Sequence, residues 1–140
     1  MSDTRQTAET FLDRLGKWDV DGVLGLCADP IDMAVHGSPL VPWLGRRSSH
    51  IQIAEFFTLI HNLCTPERFD VEKIIVDTED GDEAVVLGEM RYLVNETGKS
   101  FTSTFALRLT VTDGRVTRYH MHEDSYAIHL AFGGDGEPGV

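Results

Sequence analysis

The stretch FTSTFALRLTVTDGRVTRYHMHE, residues 101–123, decides the class of fold. Its first half alternates. Phe101, Phe105, Leu107, Leu109 and Val111 fall in one phase, and Thr102, Thr104, Arg108 and Thr110 in the other. A period of two marks a strand with one face on a core and one toward solvent. Asp113-Gly114 follows, a pair suited to the positive φ angles of a two-residue hairpin turn. Alternation resumes over Arg115–Glu123, with Tyr119, Met121 and Glu123 in one phase and Arg118, His120 and His122 in the other. The segment therefore reads as two antiparallel strands joined tightly.

Upstream, Phe69–Val76 and Glu83–Val94 read as two further strands. The Asp-rich segment Asp77–Asp82 around Gly81 and the run Glu96-Thr-Gly98 supply the turns. Glu83–Val94 is apolar in both phases: Val86, Met90, Tyr92 and Val94 in one, Val85, Leu87 and Leu93 in the other. Such a strand needs cover on both faces. Helices can cover one, and a second copy of the chain through the sheet face, forming a homodimer, can cover the other.

Before Phe69 the period is helical. Ser2, Asp3 or Thr4 can cap a first helix carrying Ala8, Phe11, Leu12 and Leu15 on one face, with Gly16 suited to its C-terminal end. Asp19 can cap a second helix, with Val20, Val23, Leu24 and Cys27 as its buried face and Pro30 as its stop. Ile31–His36 reads as a short strand, and Gly37–Pro42 as a loop. Ser49 and Gln52 form a capping box for a long helix bearing Ile53, Phe56, Phe57, Ile60 and Cys64, which Pro66 ends. A short helix, Ser125–Phe132, closes the fold. Helices first and a strand meander afterwards mean α+β, with helices on one face of a curved antiparallel sheet. The chain is expected to form a single domain over residues 1–132, with a disordered Gly-rich tail at 133–140.

At 140 residues the chain is long enough for one well-buried core. A formal charge of −11, with Arg46–Arg47 the densest basic spot, disfavours nucleic acid as a partner. No apolar run approaches the ~20 residues that a membrane span needs. The polar N-terminus has no apolar leader core, so a cytoplasmic location is expected. Cys27 and Cys64 lack CxxC spacing and read as buried thiols rather than as a disulfide.

The order helix, helix, short strand, long helix, four strands resembles the cone fold of the nuclear transport factor two-like superfamily. The most specific stretches are Trp18–Asp29 (WDVDGVLGLCAD), Val41–Gly45 (VPWLG) and Thr112–Val116 (TDGRV) with the strand after it. Enzymatic branches of that superfamily include ketosteroid isomerases, limonene epoxide hydrolases and SnoaL-like polyketide cyclases. The resemblance implies a cone-shaped sheet wrapped around the helices and a pocket for a small hydrophobic molecule, with no cofactor. It also implies where catalytic groups would lie. The isomerase oxyanion Tyr falls on Phe11, and the isomerase base on Ala34 or Val35. The hydrolase Arg and Asp fall on Met90 and Tyr92, and the Asp of the last strand on Met121. The key groups of three chemistries are thereby replaced, mostly by apolar side chains.

Three residues remain as candidates for proton transfer. His36 ends the first strand, and imidazole titrates near neutral pH. Tyr92 can donate a hydrogen bond from the pocket wall. Glu123 in the phase of Tyr119 and Met121 would be a carboxyl beside an apolar cavity, where desolvation raises its pKa. Each also has a plain structural reading, as a turn histidine, a core tyrosine and a strand-end carboxylate. Phe11, Trp43, Phe56, Ile60, Met90, Phe105, Tyr119 and Met121 are the expected pocket lining. No metal site is expected, since His120-x-His122 lacks a third ligand at a recognisable spacing. Three functions stay open: a cofactor-free isomerase, cyclase, dehydratase or hydrolase, a binding module of the same fold, and a dimeric interaction protein.

Overall fold

The computed structural model describes residues 4–78 and 81–136. The capping options Ser2 and Asp3, part of the acidic turn, and tail residues 137–140 lie outside that description. Among the described residues the order is α1 (Thr4–Gly16), α2 (Val20–Leu26), β1 (Cys27–Val35), β2 (Gly45–Arg47), α3 (His50–Leu63) and β3 (Cys64–Val76). Then come β4 (Glu83–Val94), β5 (Lys99–Thr112), β6 (Arg115–Glu123) and α4 (Ser125–Ala131). The strands form one curved, unclosed sheet in the order β2-β1-β6-β5-β4-β3. The architecture is α+β, as the periodicities imply.

The sheet is not wholly antiparallel. β1 runs parallel to β6, with Met33 beside Tyr119 and Val35 beside Met121. The other pairings are antiparallel. The β5–β6 turn uses Asp113 at φ 52° and Gly114 at φ 72°, the left-handed pair that a type I′ hairpin requires. Across β4 and β5 the register sets Tyr92 opposite Phe101, Met90 opposite Ser103, Gly88 opposite Phe105 and Val86 opposite Leu107. Side chains in these pairs point to the same, inner face.

Helices α1 and α3 cover that inner face. Phe11, Ile53, Phe56 and Phe57 pack into one core with Val86, Leu107 and Leu109, all nearly inaccessible. The start of α3 is fixed by the capping box: Ser49 Oγ accepts from the Gln52 amide at 3.3 Å, and Gln52 Oε1 accepts from the Ser49 amide at 3.3 Å. Asp19 caps α2 through the Gly22 amide at 3.0 Å.

Several boundaries differ from the expectation. Cys27 opens β1 rather than ending the helix before it, and β3 starts at Cys64, so Pro66 lies inside a strand. β3 is an edge strand, where a missing amide donor is tolerated. Gly16 is not the left-handed residue after α1. Trp18 takes that role at φ 57°, and the Asp19 amide returns to the Arg14 carbonyl at 2.9 Å. Residues 133–136 lie against the end of α4. The Gly134 amide donates to the His129 carbonyl at 2.9 Å, and the Asp135 carbonyl lies 3.0 Å from His129 Nε2. Among the described residues no helix is long and apolar enough to cross a membrane.

Candidate functional site

Between the inner sheet face and the helices lies a cavity of about 420 Å³, within the usual range for small-molecule sites. Its walls come from four directions. The α1–α2 turn gives Trp18, α3 gives Phe56, Phe57 and Ile60, and the loop after β1 gives Trp43. The sheet gives Val35, Met90, Tyr92, Phe101, Leu107, Tyr119, Met121 and Glu123. Trp18 and Phe69, at 36% and 37% exposure, mark the open side together with the exposed Gly16, His61 and Pro66. The Trp18 and His61 rings stack there at 4.5 Å.

Glu123 stands out chemically. Among the described residues it is the only carboxylate in the lining, which contains neither Lys nor Arg. The register delivers it: Leu109 faces Tyr119, Leu107 faces Met121 and Phe105 faces Glu123, so the inward phase of β6 runs to its last residue. Among the described residues its carboxyl has no ion-pair partner and no hydrogen bond. Burial alone pushes it up from 4.5 to about 7. Desolvation disfavours the charged form, and nothing nearby compensates.

Two phenols share the cavity. Tyr119 is 4% exposed and held by rings on three sides, with centroids of Phe11, Phe56 and Phe57 at 6.0, 6.1 and 6.3 Å. Tyr92 lies flat on Phe101 at 5.9 Å. Burial, then neighbouring acidic groups, push the Tyr92 hydroxyl up to about 12, and burial raises Tyr119 as well. Both therefore stay protonated and able to donate. Among the described residues neither hydroxyl makes a hydrogen bond within the protein. Both residues line the cavity, so an incoming oxygen acceptor can take a hydrogen bond from either hydroxyl.

Of the residues singled out in the sequence, Trp43, Phe56, Ile60, Met90, Tyr92, Tyr119, Met121 and Glu123 line the cavity. Three do not. His36 is exposed beyond the end of β1, in the phase of Asp32 and Ala34, whose register neighbours Arg118 and His120 lie on the outer face. The inward phase of β1 is Met33 and Val35, so His36 is not brought to Tyr92 and Glu123. Phe11 backs Tyr119 from the helix side and is 1% exposed. Phe105 stacks on Phe69 at 5.0 Å and lies over Gly88, filling the space that a side chain at Gly88 would take. The lining residues not anticipated are mostly at the mouth: Leu15, Gly16, Trp18, His61, Pro66 and Phe69. The left-handed backbone of Trp18 brings its ring there, and no local pattern announces that conformation in a tryptophan.

Elsewhere, His120 points to the outer face, with Nε2 3.0 Å from Asp32 Oδ1 at an angle short of a hydrogen bond. His120 and Arg118 hold the Asp32 carboxyl below its ordinary range. Among the described residues no group of three His, Cys, Asp or Glu is placed to hold a metal ion. Cys27 and Cys64 are buried and unbonded, and burial pushes their thiols up to about 12 and about 11.

The SnoaL-like domain family matches residues 8–119, most of the chain. The protein belongs to that family. No curated protein matches the sequence significantly. Solved structures share the fold at low identity. An NTF2-like protein from Burkholderia xenovorans superposes with a TM-score of 0.83 at 20% identity, covering 93% of this chain and 95% of that one. TerC, co-crystallised with polyporic acid, gives 0.80 at 21% identity, covering 95% and 100%. A protein assigned as a SnoaL-like polyketide cyclase from Mesorhizobium loti gives 0.68 at 18% identity, covering 84% and 97%. Likeness at this identity carries the fold and leaves the chemistry to the site itself.

Proposed function

We propose that this SnoaL-like chain transfers a proton on a small, apolar, oxygen-bearing molecule held in the cavity, with Glu123 as the acid/base group. The observation that carries this reading is the unpaired Glu123 carboxyl, raised to about 7 by burial, beside two unpaired phenol donors. A group titrating near the working pH is ionised in about half the molecules, so it can both take and give a proton. Tyr92 and Tyr119 would donate to a carbonyl oxygen of the ligand. As Glu123 removes a proton from the neighbouring carbon, charge builds on that oxygen, and the two donors stabilise it. The proton would return from Glu123 at another position, which makes the net reaction an isomerisation, or a cyclisation or dehydration when the carbanion finds another electrophile or leaving group. Such chemistry needs no cofactor. An anionic ligand is disfavoured by the lack of any Lys or Arg in the wall and by the overall charge of −11. The ligand bound to TerC and the cyclase assignment of the Mesorhizobium protein lend support by analogy alone.

The test is turnover of a panel of neutral ring-bearing carbonyl compounds across pH. Activity should switch on with a midpoint near the Glu123 value and vanish in Glu123→Gln. An unchanged pH profile in that variant would overturn the assignment.

One observation favours a second reading, a binding module. Val35, Met90 and Met121 do face the cavity, and they stand where the resemblance puts catalytic groups of other branches. On that reading the ligand is recovered unaltered after prolonged incubation.

The homodimer belongs to the same proposal. Val85 and Leu87 on the outer face of β4 stay half-buried, and Ile75 beside them is 42% exposed. Sedimentation at micromolar concentration should give twice the chain mass, and a monomer would contradict it. The free, buried thiols are consistent with a reducing, cytoplasmic setting.

A further inference from the structure

The alternation of β5 breaks at one place. Phe101, Phe105, Leu107, Leu109 and Val111 fill its inner face, yet position 103, between the two phenylalanines, is a serine only 2% exposed. A hydroxyl there costs desolvation free energy unless it is hydrogen-bonded, so its partners show what it is for. Ser103 Oγ donates to the Thr104 carbonyl at 2.7 Å and accepts from the Asp124 amide at 2.8 Å. Asp124 is the residue after Glu123, and its side chain caps α4 by accepting from the Ala127 amide at 3.0 Å. The peptide joining Glu123 to Asp124 is therefore fixed from the strand side by Ser103 and from the helix side by the cap.

We infer that Ser103 is the positioning residue for Glu123, holding the end of β6 so that the carboxyl faces the cavity rather than solvent. The inference rests on the reading of Glu123 as the acid/base group. β6 ends at Glu123, and its register with β5 stops there, at the pair Phe105–Glu123. Past that pair no ladder bond restrains the chain. The Ser103 contact continues the restraint by one residue, onto the peptide that carries Glu123. Removing it leaves the carboxyl free to rotate toward water, where its charged form is solvated. Ser103 touches no part of the proposed reaction and acts only through Glu123.

The test follows the ionisation of Glu123 by its carboxyl stretching band in the infrared, identified as the band lost in Glu123→Gln. In the native chain the band should change near the Glu123 value of about 7. In Ser103→Ala the midpoint should fall by about one pH unit or more, toward an ordinary Glu. Ser103→Thr, which keeps the Oγ, should restore it, whereas Ser103→Val, of the same shape without the hydroxyl, should not. The Thr and Val pair decides the matter even if the alanine variant folds poorly. Leu109→Ala, on the strand of Ser103 but remote from Glu123, should lower stability without moving the midpoint. A midpoint that stays near the native value in both Ser103→Ala and Ser103→Val overturns the positioning role and leaves the acid/base reading standing. An ordinary midpoint in the native chain overturns both.

Discussion

Replacing Glu123 by Gln should stabilise the protein in alkali and do almost nothing in acid. In the unfolded chain the carboxyl ionises near 4.5, and in the fold burial delays this to about 7. Below the unfolded value both states are protonated and Glu123 contributes nothing. Between the two values the folded state binds more protons, so stability falls as pH rises. Above about 7 the whole penalty is present. At about 1.4 kcal/mol per pH unit the gap corresponds to about 3 kcal/mol, and solvent screening of a partly accessible carboxyl reduces it to about 2 kcal/mol.

Gln has the same shape and cannot ionise, so it removes the penalty at high pH and leaves the protonated-state contacts little changed. The assay is thermal or urea unfolding of both proteins at about pH 4.5 and about pH 8.5. The variant should be more stable by about 2 kcal/mol at the higher pH, or roughly 5–10 °C in Tm for a chain of this size. At the lower pH the two should agree within about 0.5 kcal/mol. An offset equal at both pH values, or a variant less stable in alkali, would refute the reasoning. Gained stability with lost turnover is what a catalytic group held against its own solvation should show.

Other perturbations test the frame around the site. Gly88→Ala sets a methyl against the Asp70 carbonyl and the Phe105 ring, so it should cost about 1–3 kcal/mol in urea unfolding. Ser49→Ala removes the α3 cap and should cost about 1 kcal/mol by the same measurement. Both thiols, raised by burial, should resist iodoacetamide at neutral pH until denaturant is added, as counted by mass spectrometry.

Much of this was legible in the sequence, for identifiable reasons. β4 and β6 match the expected ranges residue for residue, because turn residues bound β4 at both ends and the Asp113-Gly114 hairpin fixes where β6 begins. The inward phase of Glu123 follows from apolar content and the family pattern together: once Tyr119 and Met121 are inward, so is every second residue along an unbroken strand. His36 rests instead on the resemblance, which leaves the isomerase base at Ala34 or Val35; the pairing of β1 with β6 puts Val35 in the inward phase and Ala34, with His36 after it, in the other. Phe105, expected in the lining, has the inward phase but packs over Gly88 across the ladder instead of reaching the cavity. β2 is three residues long and gains its identity only by pairing with Met33–Val35. The parallel contact of β1 with β6 joins distant parts of the chain, beyond the reach of any local pattern.

The proposed function depends on one quantity, the pH at which the Glu123 carboxyl ionises in the folded, ligand-free protein. A carbon-13 titration of its side-chain carboxyl by NMR, assigned through Glu123→Gln, measures it without a substrate. The structure predicts a midpoint near 7. A midpoint near 4.5, the value of a solvated glutamate, would mean that the carboxyl does not face the cavity, and the proposed function would fall with it.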